Sequence, residues 1–425
     1  MSNALEMTIE QDGYAQVIVV FADGAAAGST EAPQLEKHFL DPAITDGRPA
    51  GAVLTSELHE GLAQQAEVRL VSVATDAAAA VEKAPSVRVY PRLGLALGYV
   101  DGAGLASLRE APGVDSVWRA EVPSLIRPVQ IRLSLPAGEI SWGVERIGAP
   151  ALWDLGYLGQ GVLVGHIDTG VDGRQAALAG AIANFTQFDL DGNEVPGASP
   201  WDSDEHGTHT AGTIVGRAVP EGRFGVAPEA RLLTAMVIEG GNVVARILGG
   251  MEWTVANGAR LISASLGLRG QGGAFQALVN SLRANNVLPV FAVGNEGPGT
   301  SRFPGNYHNV LSIGACDRDH QVADFSGSQR FLKPMDRMVP DLVAPGVDIV
   351  SCVPNGGFAR MSGSSMATPH VAGLAALLFS AEPSATADDV EAAIEQSCVL
   401  PAAMNSARGN RGIPDASRAL AALRG

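Results

Sequence analysis

Four side chains scattered along the chain have the chemistry for nucleophilic attack on a carbonyl: Asp168, His206, Asn295 and Ser365. Ser365 lies in Gly363-Ser364-Ser365-Met366-Ala367-Thr368-Pro369-His370-Val371-Ala372-Gly373, a turn opened by glycine that runs into an apolar helix reaching Phe379. At a helix N-terminus the dipole and free N–H groups favour the negative charge that forms when a serine oxygen attacks a carbonyl. Taken alone, Ser364 or Ser365 reads as a helix N-cap before it reads as a nucleophile. His206 follows the acidic loop Asp202-Ser203-Asp204-Glu205 and opens a helix of small residues, where an imidazole can act as general base near neutral pH. A metal site is its alternative, since His209 lies three residues on. That spacing lacks the HExxH pattern and no later ligand cluster completes it, so no metal ligand is assigned. Asp168 ends an apolar strand, and in open α/β sheets functional groups gather beyond the carboxyl ends of strands. It is also a natural turn cap. Asn295, in Val293-Gly294-Asn295-Glu296-Gly297, follows another apolar run; its amide could donate to an oxyanion, or simply occupy a turn.

Apolar runs of strand length alternate with helical segments through the region that must position these groups. Gly161–Ile167, Leu232–Ile238, Leu261–Ser265, Leu288–Val293 and Val310–Ala315 are nearly uncharged, as strands covered on both faces require. Helical segments are expected at 206–215, 243–257 and 274–284. Strand and helix in alternation predict a doubly wound α/β domain with a mostly parallel sheet over residues 141–425. Before it, Tyr14–Phe21, Glu67–Val73, Leu93–Val100 and Val114–Ala120 read as strands and Gly102–Glu110 as a helix, which predicts a small α+β unit over residues 1–125. Residues 24–61 have a weak pattern and read as an irregular insertion. Residues 126–140 carry Pro128, Pro136 and Gly138 without a sustained period and read as a linker.

The catalytic-type residues occur in the order Asp, His, Ser. The blocks His166-Ile167-Asp168-Thr169-Gly170-Val171-Asp172, His206-Gly-Thr-His209-Thr-Ala-Gly212, Ala292-Val-Gly-Asn295 and Gly363-Ser-Ser365-Met-Ala-Thr-Pro-His-Val-Ala-Gly373 resemble the hallmark segments of the subtilisin-like serine proteases. The likeness runs from Trp142 to the C-terminal Gly412–Leu420, and chance agreement at four ordered blocks is negligible. The resemblance implies a serine endopeptidase with Ser365 as nucleophile, His206 as general base and acid, and Asp168 orienting the imidazole. It places the oxyanion between the Asn295 side chain and the Ser365 N–H. It further implies that Ser265, Leu266 and Gly267 form the edge on which an extended polypeptide substrate adds as a strand. Gly240 and Gly241 would face it, with Glu296 and Arg302 at the pocket for the residue before the scissile bond.

Two stretches depart from the family. Gly216–Arg223 stands where a first calcium loop is expected but has one carboxylate and two arginines, so that loop reads as absent. No cofactor is needed for catalysis, and structural calcium elsewhere stays open. Arg302 stands where the family often has a small residue, which suggests a preference for an acidic or polar residue there; the alternative is an arginine pointing to solvent. The segment 99–117 is similar to the end of subtilase propeptides. This implies a ferredoxin-like inhibitor domain and a self-inhibited zymogen cut between residues 123 and 140. A permanently attached regulatory domain is the alternative.

Composition fits a large core of small side chains: 46% hydrophobic, 17% charged, 51 glycines. The net charge of −16, from 45 acids against 29 bases, disfavours nucleic acid and anionic membrane as partners. Three cysteines, Cys316, Cys352 and Cys398, are too few for a disulfide framework and read as buried thiols. No export signal or spanning segment is evident, so the expectation is a soluble monomer, cytoplasmic or exported by an unrecognised route.

Overall fold

The structure, a computed structural model, describes residues 2–22, 35–41, 85–132, 139–238, 240–270, 272–332 and 337–425. The strand expected at Glu67–Val73 and most of the insertion at 24–61 lie outside the described residues.

The N-terminal unit is a four-stranded antiparallel sheet of β1 (Ala15–Phe21), β2 (Val87–Tyr90), β3 (Leu95–Val100) and β4 (Val114–Arg119), in the order β2-β3-β1-β4. Successive strand side chains point to opposite faces, and both faces of β1 are buried. Val17, Val19 and Phe21 pack with Leu105 and Leu108 of helix α2 (Gly102–Arg109) and with Leu5 of α1 (Ser2–Asp12). Ile18 faces the other way and shares one apolar cluster with Tyr90, Leu93, Leu95 and Leu97 and with the larger domain's Val244, Leu248, Leu278 and Leu282. The unit is therefore docked through a continuous core. Polar contacts fix the seam: Tyr90 donates to the Ala245 carbonyl at 3.2 Å, and Arg92 pairs with Glu252 at 3.1 Å.

Residues 126–140, which read as a linker, are in part paired with the larger domain. β5 (Ser124–Leu125) and β6 (Val129–Arg132) each add to a strand of that domain.

That domain is built on seven parallel strands: β7 (Leu163–Asp168), β8 (Ile182–Gln187), β9 (Arg231–Met236), β10 (Leu261–Ala264), β12 (Leu288–Ala292), β13 (Leu311–Cys316) and β14 (Leu342–Pro345). Their order is β14-β13-β12-β10-β7-β9-β8, with every pairing parallel. The short β11 (Leu266–Arg269) leaves the sheet after β10, and β15 (Gly357–Ser362) precedes the serine helix. Helices α3 (His206–Val215), α4 (Val243–Ala256) and α5 (Gln276–Ala284) fall at the positions expected from sequence to within two residues. Helix α6 (Ser364–Ala381) is apolar on all sides and buried from Ser364 to Phe379, as a central helix must be. It packs against strands β10, β12, β13 and β14 on one face of the sheet. Cys316 and Cys352 are buried free thiols as expected, while Cys398 is half-buried. Among the described residues no helix is long and apolar enough to cross a membrane.

Candidate active site

Asp168 is the last residue of β7, and burial together with three contacts defines its carboxylate. Thr169 N–H donates to Oδ1 at 2.7 Å, Thr210 Oγ1 donates to Oδ2 at 3.0 Å, and His206 Nδ1 lies 2.6 Å from Oδ1. Burial alone would raise the Asp168 pKa, but the charge and hydrogen bond of His206 outweigh it and hold the group below its ordinary value. For His206 the signs reverse: burial lowers its pKa, and Asp168, with smaller contributions from Asp204 and Asp202, more than offsets this, leaving it above the usual 6.5. An ionised Asp168 accepts from Nδ1–H, so Nε2 is the basic nitrogen; it is buried and has no hydrogen-bond partner among the described residues.

Asp168 is supported from behind by a second histidine. His166 Nε2 meets Thr210 Oγ1 at 2.8 Å and Thr234 Oγ1 meets Nδ1 at 3.3 Å. With the Thr210 proton directed to Asp168, His166 donates from Nε2 and accepts at Nδ1. Burial pushes His166 down to about 4, so it stays neutral.

The loop before His206 is tied down by its own carboxylates. Asp202 accepts from Thr169 Oγ1 at 2.7 Å, Thr208 N at 2.7 Å and Thr208 Oγ1 at 2.6 Å. Burial nevertheless pushes Asp202 up to about 7. Gly207 lets the start of α3 meet the backbone after Asp168: a Cβ there would lie 2.1 Å from the Gly170 carbonyl oxygen. Gly207→Ala must move one of two backbones, so we expect a loss of about 1–3 kcal/mol and an activity loss from a displaced His206. Thermal unfolding and peptide-hydrolysis rates measured on the same sample would check both.

Ser365 sits in the first turn of α6, its residue fully buried. Pro369, four residues on, supplies no N–H to the Ser365 carbonyl. Ser265 Oγ reaches that carbonyl instead, at 3.4 Å. Asn295 follows β12. Its Oδ1 accepts from Ser364 N and from Ser364 Oγ, both at 2.8 Å, which fixes the amide so that Nδ2 faces the cleft.

The cleft holds the chain's own segment 124–130. β5 pairs antiparallel with β11, Leu125 opposite Leu266 and Ser124 opposite Gly267. Ile126 N–H donates to the Ser265 carbonyl at 3.0 Å. Ser365 Oγ donates to the Ile126 carbonyl at 2.6 Å, and Asn295 Nδ2 donates to the Arg127 carbonyl at 3.2 Å. Beyond this point β6 pairs with β15, Val129 opposite Ser362.

Other site residues suggested by sequence divide into two groups. Ser265, Leu266 and Gly267 line the cleft as described. Glu296 and Arg302 also meet there, but as a pair: Arg302 lies 2.9 Å through Nε and 2.5 Å through Nη2 from Glu296 Oε1. Arg302 also donates from Nη1 to the Gly267 carbonyl at 2.9 Å and to Ser124 Oγ at 3.0 Å. Arg302 is 8% exposed, so it does not point to solvent. Burial would raise the Glu296 carboxyl, yet Arg302 and Arg269 hold it below its ordinary value. This counter-charge removes the reason to expect an acidic residue at the pocket. Gly240 and Gly241 are not brought to the segment by any hydrogen bond found among the described residues. The Gly240 carbonyl accepts from Arg246 at 2.6 Å, and Gly241 lies against the Leu190 backbone.

His209 turns away from His206, its Nε2 3.0 Å from the Ile349 carbonyl and 3.3 Å from that of Ala359. Among the described residues no group of three or more His, Cys, Asp or Glu could hold a metal. In the 216–223 loop, Arg217 already donates to the carbonyls of Val215, Pro228 and Ala230. Sequence inspection missed Thr169, Thr210 and Asp202 as supports of the site. Their signal was present, since all three belong to or adjoin the blocks containing Asp168 and His206.

Known proteins match the region that carries this geometry. The sequence model of the subtilase family matches residues 159–416. M-protease of Shouchella clausii (strain KSM-K16) is 38% identical over 251 residues, covering 58% of this chain and 62% of M-protease, less than two thirds of it. Subtilisin Savinase of Lederbergia lenta is 38% identical over 251 residues, covering 58% of this chain and 87% of Savinase. The intracellular serine protease of Paenibacillus polymyxa is 38% identical over 255 residues, covering 58% and 75% respectively. The family match takes in more than half of the sequence and includes Asp168, His206, Asn295 and Ser365, and the chain belongs to the subtilase family.

Proposed function

We propose that this chain hydrolyses peptide bonds through an acyl-enzyme and is made as a self-inhibited zymogen. Ser365 Oγ attacks the carbonyl, His206 Nε2 takes its proton and later delivers it to the leaving amine, and Asp168 holds the imidazole in the tautomer this requires. Asn295 Nδ2 and the Ser365 N–H stabilise the oxyanion. Residues 1–125 are the inhibitor domain, 126–140 the processing region and 141–425 the catalytic domain. The four-stranded antiparallel sheet with its helix α2 supports a propeptide-type unit, and its apolar docking on α4 and α5 supports an inhibitory one. Catalysis in this family uses no metal or other cofactor.

The observation that carries the reading is the 2.6 Å contact from Ser365 Oγ to the Ile126 carbonyl, made by a chain that adds as a strand to Leu266 and Gly267. A bound polypeptide substrate would use the same edge, since main-chain pairing is indifferent to side chains. In this state Ser365 Oγ donates its hydrogen bond to a peptide carbonyl, and His206 Nε2 has no partner among the described residues. The nucleophile is occupied while the segment stays.

The test is the mature N-terminus. Intact-mass measurement of the purified wild type is expected to show a cut between residues 123 and 140, with a fluorophosphonate then labelling Ser365. Ser365→Ala is expected to retain its N-terminal domain. Loss of that domain from the Ser365→Ala variant would rule out self-processing, and failure of wild type to label would count against the serine mechanism itself.

A further inference from the structure

We propose that Asp204 selects a basic residue immediately after the scissile bond, giving the enzyme a preference for arginine or lysine on the leaving side. This deepens the endopeptidase reading above and rests on it.

The pairing register identifies the positions. Ile126 has its N–H on the Ser265 carbonyl and its own carbonyl on Ser365 Oγ, so its peptide bond is the one that faces the nucleophile, while Asn295 Nδ2 rests on the following carbonyl, that of Arg127, and must move to the Ile126 carbonyl when the oxyanion forms. Arg127 is therefore the first residue on the leaving side. Its Nη1 lies 2.7 Å from Asp204 Oδ2. Three residues further along, Gln130 Nε2 meets Glu205 Oε2. Two consecutive acids thus contact two side chains of a segment lying where a substrate would lie.

Asp204 is built to hold this position. It is only two residues from His206, and its side chain is 17% exposed. Its Oδ1 accepts from the N–H of Glu205 at 2.6 Å and of His206 at 3.3 Å, so Oδ2 is left for the cleft. The neighbouring Asp202 is not a competitor, because Thr169, Thr208 and the Asp204 N–H already occupy its oxygens. Burial would raise the Asp204 pKa, but Arg127 and the Glu205 N–H keep it below the ordinary value, so the acid is charged at neutral pH.

A hydrogen bond to a charged partner contributes enough to discriminate about 10-fold or more, and exposure of the arginine makes that salt-sensitive. The experiment uses the full chain after self-processing is complete and four peptides that differ only in the residue after the cleaved bond: Arg, Lys, Ala or Glu. We expect kcat/KM for Arg and Lys to exceed Ala by about 10-fold, with Glu the poorest, and the gap to shrink in 1 M salt. Asp204→Asn, which keeps the Oδ1 acceptor for the start of α3, should bring the Arg-to-Ala ratio close to one. Asp204→Lys should move the preference towards Glu.

Equal rates for Arg and Ala in wild type, or an undiminished ratio in Asp204→Asn, would overturn the inference while hydrolysis of the Ala peptide left the endopeptidase reading standing. No hydrolysis of any peptide and no fluorophosphonate labelling would overturn both.

Discussion

Replacing Ser365 by alanine is expected to lower kcat by roughly 10⁶-fold, the scale known for triads of this family rather than one calculated from this geometry. The size follows from what the hydroxyl does. Without Oγ there is no acyl-enzyme, and His206 Nε2 has no proton to accept, so the imidazole and the carboxylate behind it lose their purpose together. The double variant Ser365→Ala/His206→Ala should accordingly be no slower than either single one, because groups acting as a unit are strongly non-additive. What survives is the part that does not need the nucleophile: Asn295 Nδ2, held towards the cleft by Ser364, and the strand edge at Leu266–Gly267. A residual enhancement of about 10³–10⁴ over water is expected from these. Single-turnover hydrolysis of a chromogenic peptide by the purified variant and the double variant would measure both. A loss below about 100-fold for Ser365→Ala would mean that another group attacks the carbonyl.

Each of the four candidate groups sits where an element ends or begins, a signal that alone also fits a cap or a turn, and their order and the four family-like blocks made them legible together. Asp168 and Asn295 follow apolar runs that could only be covered strands, and His206 and Ser365 open helices of small residues. Such local signals survive without knowledge of the partner. Arg302 shows the opposite case. Its neighbour Glu296 is six residues away, and nothing local says that the chain folds back to pair them, so an unmatched charge was expected where the structure has an ion pair. The pairing of residues 124–125 and of 129–132, the latter inside the expected linker 126–140, was not legible for a similar reason. Strands of two and four residues have no period to detect, and their partners, Leu266 and Ser362, lie more than 100 residues downstream. The acidic loop at 202–205 was visible as charge, but only the position of Arg127 gives one of its members a specific role. Gly240 and Gly241 were expected at the opposing edge because glycine lets backbones approach closely, and the contacts described for them are local, at Arg246 and Leu190.

Asp168→Asn is expected to lower kcat by about 10⁴-fold while leaving the fold in place, again a scale taken from triads in general. The carboxylate has two separable effects. As an acceptor it draws the His206 proton to Nδ1, 2.6 Å away, and so frees Nε2 for Ser365. An asparagine can present its NH₂ to Nδ1, which then must accept; the proton moves to Nε2 and the base is lost. As a charge, Asp168 raises the His206 pKa against the lowering caused by burial. Removing that charge lets burial dominate, so the His206 pKa falls. Activity requires neutral His206, and the acid limb of the kcat/KM profile reports this pKa. The limb should therefore lie above pH 6.5 in wild type and move to lower pH in Asp168→Asn, even as the plateau drops. Orientation and charge are thereby read independently, one from plateau height and one from limb position. With its NH₂ in the former Oδ1 place, the Asn side-chain oxygen still accepts from Thr210 Oγ1 and only the Thr169 N–H loses its acceptor, which is why a mainly functional loss is expected. A lowered plateau with an unmoved limb would mean that Asp168 acts through geometry alone and that its charge does not set the His206 proton affinity.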